Sequence, residues 1–352
     1  MHLYTSYFKK SPAFFYTLLF ILIFEVVLHF IPNLYYLDGT GSFFVYYKRN
    51  VIENYKENYD ILLLGDSRSL SLMGVKGDNS NPSLYNLSLP AAGPWYYKYL
   101  LKKYLKYHEK PKLIVWAADP MILGFGKTGK FNLNPSLWNE FKHRLLNLFT
   151  FAETWEQYEG KELFFISKEY LSQSLYSVRF RQAIESILGA RVPALLKGES
   201  ALYSRNKEVA ALVEKTNGQI NLGDFFFAPE GASEEEAKKW IKMNQSDEVD
   251  PEPLEQFLDY CKTENIKVVI LNLPKVIGIV NTPFQKKVKS IYLTNSEKYP
   301  HVTYIEFETM EYPPSDFGES IHYSPKGEKV LNKEFLEKIY PRMVEITRDV
   351  KK

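Results

Sequence analysis

Apolar positions along this chain fall into runs of three kinds. The first is one long block near the N-terminus. From Pro12 to Phe24 every residue except Thr17 is apolar or aromatic, and after Glu25 the character resumes through Val26, Val27, Leu28, Phe30 and Ile31. Counted from Ser11 to Ile31, the block is long enough as a helix to cross about 30 Å of hydrocarbon. The second kind is short and nearly continuous: Asp60–Leu64, Leu84–Leu87, Leu113–Ala117, Lys267–Leu271 and Val302–Ile305. Such runs predict strands buried on both faces of a parallel sheet. The third kind has helical period and alternates with the strands, at Tyr96–Tyr107, Pro253–Thr263 and Pro283–Tyr299. A last helix starts near Pro325, with Ser324 as N-cap and proline at the first helical position. The alternation predicts an α/β fold, a three-layer sandwich around a five-stranded parallel, flavodoxin-like sheet.

One stretch breaks the alternation. Met121–Asp250 is far longer than a single crossover needs. It carries amphipathic segments such as "SLWNEFKHRLLNLF" and "YSVRFRQAIESIL", and "EGASEEEAKKWIK" reads as a capped helix start. The predicted organisation is an N-terminal membrane anchor over residues 1–37, an α/β domain made of 38–123 and 251–352, and a mostly helical insertion, 124–250, between strands 3 and 4. The insertion would serve as a lid or subdomain.

Lys9 and Lys10 precede the apolar block, whereas the next basic residues, Lys48 and Arg49, lie further off. The positive-inside rule then puts the N-terminus in the cytoplasm and the rest of the chain outside, as a single-pass membrane protein. The alternative, a cleaved signal peptide, lacks a small-x-small site, because Pro32–Leu37 is bulky. Tyr35 and Tyr36 suit an interfacial exit. Glu25 inside the span is costly unless it is neutral, paired with His29 four residues on, close to the outer headgroups, or facing another protein.

Composition narrows the function classes. The chain is 24% charged and 45% hydrophobic, a globular balance. Lys+Arg of 44 against Asp+Glu of 42 gives a formal charge of +2, which offers no electrostatic ground for binding nucleic acid. The single cysteine, Cys261, excludes an intrachain disulfide and a cysteine-based metal site. No glycine-rich phosphate loop is present to support a nucleotide-binding, cytoplasmic-facing protein. No metal and no cofactor is expected.

In a parallel α/β sheet, ligands bind beyond the carboxyl ends of the strands. The first strand runs into Gly65-Asp66-Ser67-Arg68-Ser69. There Ser67 could be a nucleophile at a helix N-terminus, with its own N–H and the helix dipole favouring an oxyanion; alternatively Ser67 or Asp66 caps that helix. The second strand runs into "NLSLPAAGPWYY", where the N–H of Gly93 could approach a ligand, and Trp95 and Tyr96 could stack on a sugar or belong to the core. The third ends in "VWAADP", with Asp119 as a site residue or a cap. The fourth ends in "LNLPK", with Asn272 and Lys275 at the same rim. After the fifth comes "PPSDFGESIHYSPKGEKVL", with His322, Glu319 three residues before it and Asp316 six before it. A serine nucleophile needs a histidine base, and the base needs a carboxylate. Of six histidines only His322 reaches the rim of Ser67: His2 and His29 lie in the anchor region, His108 and His143 in charged helices, and His301 before the last strand.

These blocks resemble the SGNH (GDSL-type) hydrolase superfamily. Gly65-Asp66-Ser67 is similar to its first block, with the serine as nucleophile. Gly93 matches the glycine whose N–H serves the oxyanion hole. Glu319-Ser320-Ile321-His322 has the spacing of the family's Asp-x-x-His, with glutamate for aspartate and Asp316 as the substitute. The third block departs: Ala117-Ala118-Asp119 lacks the family's oxyanion asparagine, a role left to Asn86 or Asn272. With the anchor, the chain resembles the membrane-anchored proteins of teichoic-acid D-alanylation and alginate acetylation, and bacterial SGNH-like families of unknown function. The resemblance implies a serine esterase or O-acyltransferase acting on acyl esters of a cell-envelope glycan or lipid, with a membrane-bound O-acyltransferase as partner. A catalytically degenerate domain that binds or scaffolds envelope polysaccharide machinery is the alternative.

Overall fold

A computed structural model describes residues 12–30, 42–90, 96–118, 148–156, fourteen positions between 163 and 184, and 201–220, 231–245, 249–318 and 322–348. The chain divides into two compact units, Met1–Tyr46 with Leu145–Glu208, and Tyr47–Arg144 with Val209–Lys352.

The second unit holds the sheet. Its strands are β1 (Ile61–Gly65), β2 (Leu84–Asn86), β3 (Leu113–Ala117), β4 (Lys267–Asn272), β5 (Lys275–Val276), β6 (Val302–Glu306) and β7 (Glu311–Tyr312). Five of them form a parallel sheet in the order β2-β1-β3-β4-β6, and β5 and β7 form a separate parallel pair. The five-stranded sheet is the one predicted, with ends within two residues of the apolar runs. The small β5–β7 pair was not legible, because two residues carry no period.

The helices, in chain order, are α1 (Pro12–Phe30), α2 (Ser42–Asn54), α3 (Tyr97–Tyr107), α4 (Phe151–Trp155), α5 (Tyr176–Arg179), α6 (Ala201–Lys215), α7 (Glu234–Met243), α8 (Glu252–Thr263), α9 (Pro283–Lys298), α10 (Pro325–Glu334) and α11 (Tyr340–Arg348). Alternate side chains of each strand face opposite layers. Ile61, Leu63, Leu113, Val115, Val269 and Leu271 share a core with Leu331 of α10 and Met343 and Val344 of α11. On the other face Trp116 packs edge-on against Tyr97 of α3 and tilted against Phe257 of α8. Ile61 to Leu64 are all fully buried, so β1 is covered on both sides, each such leucine contributing roughly 2 kcal/mol.

Parts of the stretch between β3 and β4 belong to this unit. Residues 216–220 bond to β2 and the segment after β1: Asn86 N–H donates to the Asn217 carbonyl, Gly74 N–H to Thr216 and Ile220 N–H to Leu70. Gly218 has φ of +97°, and a Cβ there would run into the Asn86 backbone. α7 begins in a Ser233–Glu236 capping box, and its Ala237 joins the sheet core.

The first unit contains α1, whose apolar side chains are mostly exposed. α1 is one helix long and apolar enough to span a membrane. Its Glu25 is buried, and the carboxylate accepts the N–H of Tyr176 at 2.7 Å and of Ser177 at 3.1 Å. His29 does not pair with that carboxylate: its Nδ1 lies 2.8 Å from the Glu25 carbonyl, and its ring stacks on Tyr176 at 3.7 Å.

Candidate active site

The sheet order reverses at β1, between β2 on one side and β3 on the other, which is where such sheets bind ligands. Ser67 lies two residues past the end of β1, half-buried. Gly65 is required there by space, because a Cβ would collide with Ser69 Oγ and the Ala117 carbonyl.

Ser67 does not head an α-helix, contrary to the reading of this segment. A three-residue 3₁₀ turn, Ser69–Ser71, follows instead, so the helix dipole invoked for the oxyanion is absent. The physical reason is competition for the carbonyls. Ser69 Oγ bonds to the Asp66 carbonyl at 3.0 Å and lies 2.9 Å from Ser88 Oγ. The Asn86 amide donates to the carbonyls of Ser69 and Leu72, each at 2.7 Å, and Asn332 and Gln219 donate to that of Ser71. Side chains have replaced the next helical turn. Asp66 is buried, and its Oδ1 accepts the Arg68 N–H at 2.9 Å, an Asx-type turn that fixes Ser67 at the bend.

His322 comes from the far edge of the sheet. The chain leaves β6 and pairs through β7 with β5, just past β4, which carries it back across the rim. A bridge between Phe317 and Tyr323 then closes a loop, with Gly318 N–H donating to the His322 carbonyl at 2.8 Å. Ser324 caps α10 by accepting the Gly327 N–H. The result is that His322 Nε2 lies 2.7 Å from Ser67 Oγ. The two side chains read from the sequence as nucleophile and base are within hydrogen-bonding distance.

The residues after each partner brace the pair. Arg68 is buried and donates through Nη2 to the Pro274 carbonyl and to Tyr323 Oη, with its guanidinium 5.6 Å from the Tyr323 ring centre. Tyr323 Oη donates to the same Pro274 carbonyl at 2.7 Å. Sequence reasoning passed over Arg68 and Tyr323. The available signal was their position in sequence next to Ser67 and His322.

The other candidates are placed less simply. Asp316 is buried, and its Oδ1 lies 2.6 Å from Lys326 Nζ. Asn86 cannot complete an oxyanion hole, since both its amide protons serve the Ser67 turn. Asn272 donates to Tyr304 Oη at 3.1 Å and accepts from Lys275 Nζ at 2.6 Å. Lys275 is buried, and Tyr96 is buried in the core rather than offered to a sugar. Gly93, Trp95, Asp119 and Glu319 lie outside the described residues. Among the described residues no histidine, cysteine and carboxylate cluster could hold a metal ion.

A family model, "Protein of unknown function (DUF1574)", matches residues 17–329. The chain belongs to this family. The match begins inside α1, takes in Ser67 and His322 with the whole stretch between β3 and β4, and stops within α10. The DUF1574 chain is also similar to a solved structure described as "a putative platelet activating factor from Streptococcus pneumonia", at 10% identity and a TM-score of 0.34, covering 84% of this chain and 91% of that one. A likeness at that level carries no argument about activity. No curated protein matches the chain.

Proposed function

We propose that this DUF1574 protein is a membrane-anchored serine esterase or O-acyltransferase of SGNH type, acting outside the cytoplasm on acyl esters of an envelope glycan or lipid. The observation that carries the reading is the 2.7 Å separation of Ser67 Oγ and His322 Nε2 at the carboxyl rim of a parallel sheet. In the reaction Ser67 donates its proton to Nε2 as Oγ attacks the acyl carbonyl. The Ser67 N–H, and that of Gly93, receive the developing oxyanion. The imidazolium returns its proton to the departing alkoxide, leaving an ester on Ser67. Water then releases the acid in an esterase, and a sugar hydroxyl takes the acyl group in a transferase. Glu319 has the spacing to orient His322, because the described partner of Asp316 is Lys326. Acyl donors reach such a site through a membrane-bound O-acyltransferase partner.

A second reading, a domain that binds glycan without turning it over, is favoured by one feature. The third block has no asparagine, and the amides of Asn86 and Asn272 are engaged elsewhere. One experiment separates the two. Fluorophosphonate labelling of the full chain should be lost in Ser67→Ala and slowed in His322→Asn by up to roughly 10⁶-fold. Equal labelling of all three proteins sinks the enzymatic reading. Topology is tested separately: a C-terminal alkaline phosphatase fusion should be active in intact cells, and an inactive one reverses the orientation drawn from Lys9 and Lys10.

A further inference from the structure

Glu25 sets a depth. It stands five residues before the end of α1 at Phe30, which at 1.5 Å per residue is about 8 Å along the axis. A carboxylate there is costly unless partners reach it. The partners are not side chains but the N–H groups of Tyr176 and Ser177 at the start of α5. The stack of His29 on Tyr176 holds the same contact one turn further along. The chain around α5 therefore sits beside the last turns of α1, at the level of Glu25.

That chain turns apolar side chains outward. Phe164 is 75% exposed, Leu171 77%, Leu175 46% and Val178 47%. In water this would be an unexplained apolar surface. These side chains lie in the same compact unit as the exposed apolar side chains of α1, and Tyr176 and Ser177, between Leu175 and Val178, touch that helix at Glu25. Lys168 is exposed in the same stretch, suited to a lipid phosphate.

We propose that the described residues between 163 and 184 are embedded in the bilayer interface next to α1, with Phe164, Leu171, Leu175 and Val178 among the lipid chains. The occupant of this surface is phospholipid. The depth implied by Glu25 agrees with the roughly 5–10 Å to which interfacial helices sink. The contact of Glu25 with α5 makes the anchor and this segment one membrane-bound element. The inference rests on α1 spanning a membrane, and its test separates the two.

Single cysteines are placed at Leu171 and Leu175, at Phe20 in mid-α1 as the anchor control, and at the exposed Lys329 as the soluble control. The native Cys261 is fully buried, so the unsubstituted chain serves as the labelling blank. Each protein is labelled with an environment-sensitive fluorophore and reconstituted alone into phosphatidylcholine–phosphatidylglycerol vesicles. Nitroxide is carried either high or low on the lipid acyl chain. Positions 171 and 175 should lose most of their emission to the shallow nitroxide, position 20 to the deep one, and position 329 to neither. Quenching at 20 without quenching at 171 and 175 overturns the proposal while the anchor stands, and points to a protein partner for this surface. No quenching at 20 removes the anchor and the proposal together. Glu25→Leu should shift position 175 toward water-like emission while leaving position 20 quenched. An unchanged position 175 would overturn the role given to Glu25.

Discussion

At the scale of single residues, the 2.7 Å between Ser67 and His322 depends on what stands beside them. Arg68 holds the nucleophile turn and the histidine loop to one carbonyl, that of Pro274, in company with Tyr323. Both bonds leave Nη2 of a planar guanidinium that also lies against the Tyr323 ring, a geometry that the flexible point charge of lysine does not reproduce. Arg68→Lys is therefore expected to slow fluorophosphonate labelling by roughly 10- to 100-fold, the cost of a small misplacement of reacting groups. The circular dichroism spectrum should be unchanged, and labelling in Arg68→Lys at the wild-type rate would remove the brace from the mechanism. Ser67 and His322 could be picked out in the sequence because one lies just past a strand end and the other in the loop between the last long strand and the last helical run. Arg68 and Tyr323 could not, since a buried arginine reads locally like a solvated one. Asn86 was misjudged for a related reason: a polar residue at a strand end can face a ligand or the fold, and only the carbonyls of Ser69 and Leu72 decide it.

At the scale of elements, strands and helices with strong period were readable to within a residue or two, and the connections were not. The turn after β1 depends on Asn86, Gln219 and Asn332, residues up to 261 positions away, so no local pattern could announce a 3₁₀ turn in place of a helix. α2 was likewise unread, although it carries a fully buried lysine. Lys48 Nζ donates to the Asn86 carbonyl at 2.6 Å and to the Gly218 carbonyl at 2.8 Å, tying α2 to β2 and to the segment after α6. Burial holds its pKa well below the ordinary 10.5. Between the lowered value and 10.5 the unfolded chain binds a proton that the folded chain does not. This residue's contribution to stability therefore rises with pH through that window and is lost as pH falls. Denaturant midpoints of the wild type should climb with pH up to about 9.5, before tyrosines ionise, and the climb should be flatter in Lys48→Met. Parallel slopes for the two proteins would show that Lys48 is not the titrating group. Lys48→Met should also cost about 1–3 kcal/mol for each carbonyl it leaves unpaired.

At the scale of the whole molecule, the two compact units cut across the order of the sequence. The stretch between β3 and β4 contributes to both: 145–208 goes with the N-terminal helix, and the parts before 145 and after 208 go with the sheet. Such a division is invisible to hydropathy, because each short helix there looks like any other amphipathic segment. It becomes visible only through contacts such as Glu25 to Tyr176 in one unit and Asn86 to Asn217 in the other. The net charge of +2 gives no hint of either, being a sum over the whole chain.

Ser67 and His322 are separated by 255 positions in the chain. A ribosome working at roughly 5–20 residues per second delivers the serine some 10–50 s before the histidine. Throughout that interval the serine has no base. In the proposed mechanism the nascent chain therefore carries an inert hydroxyl, and chemistry begins only when the last strand and its following loop have folded back across the sheet. If the pair is catalytic as proposed, a chain cut short before that loop is silent, and the distance between the two residues acts as a check that synthesis has finished.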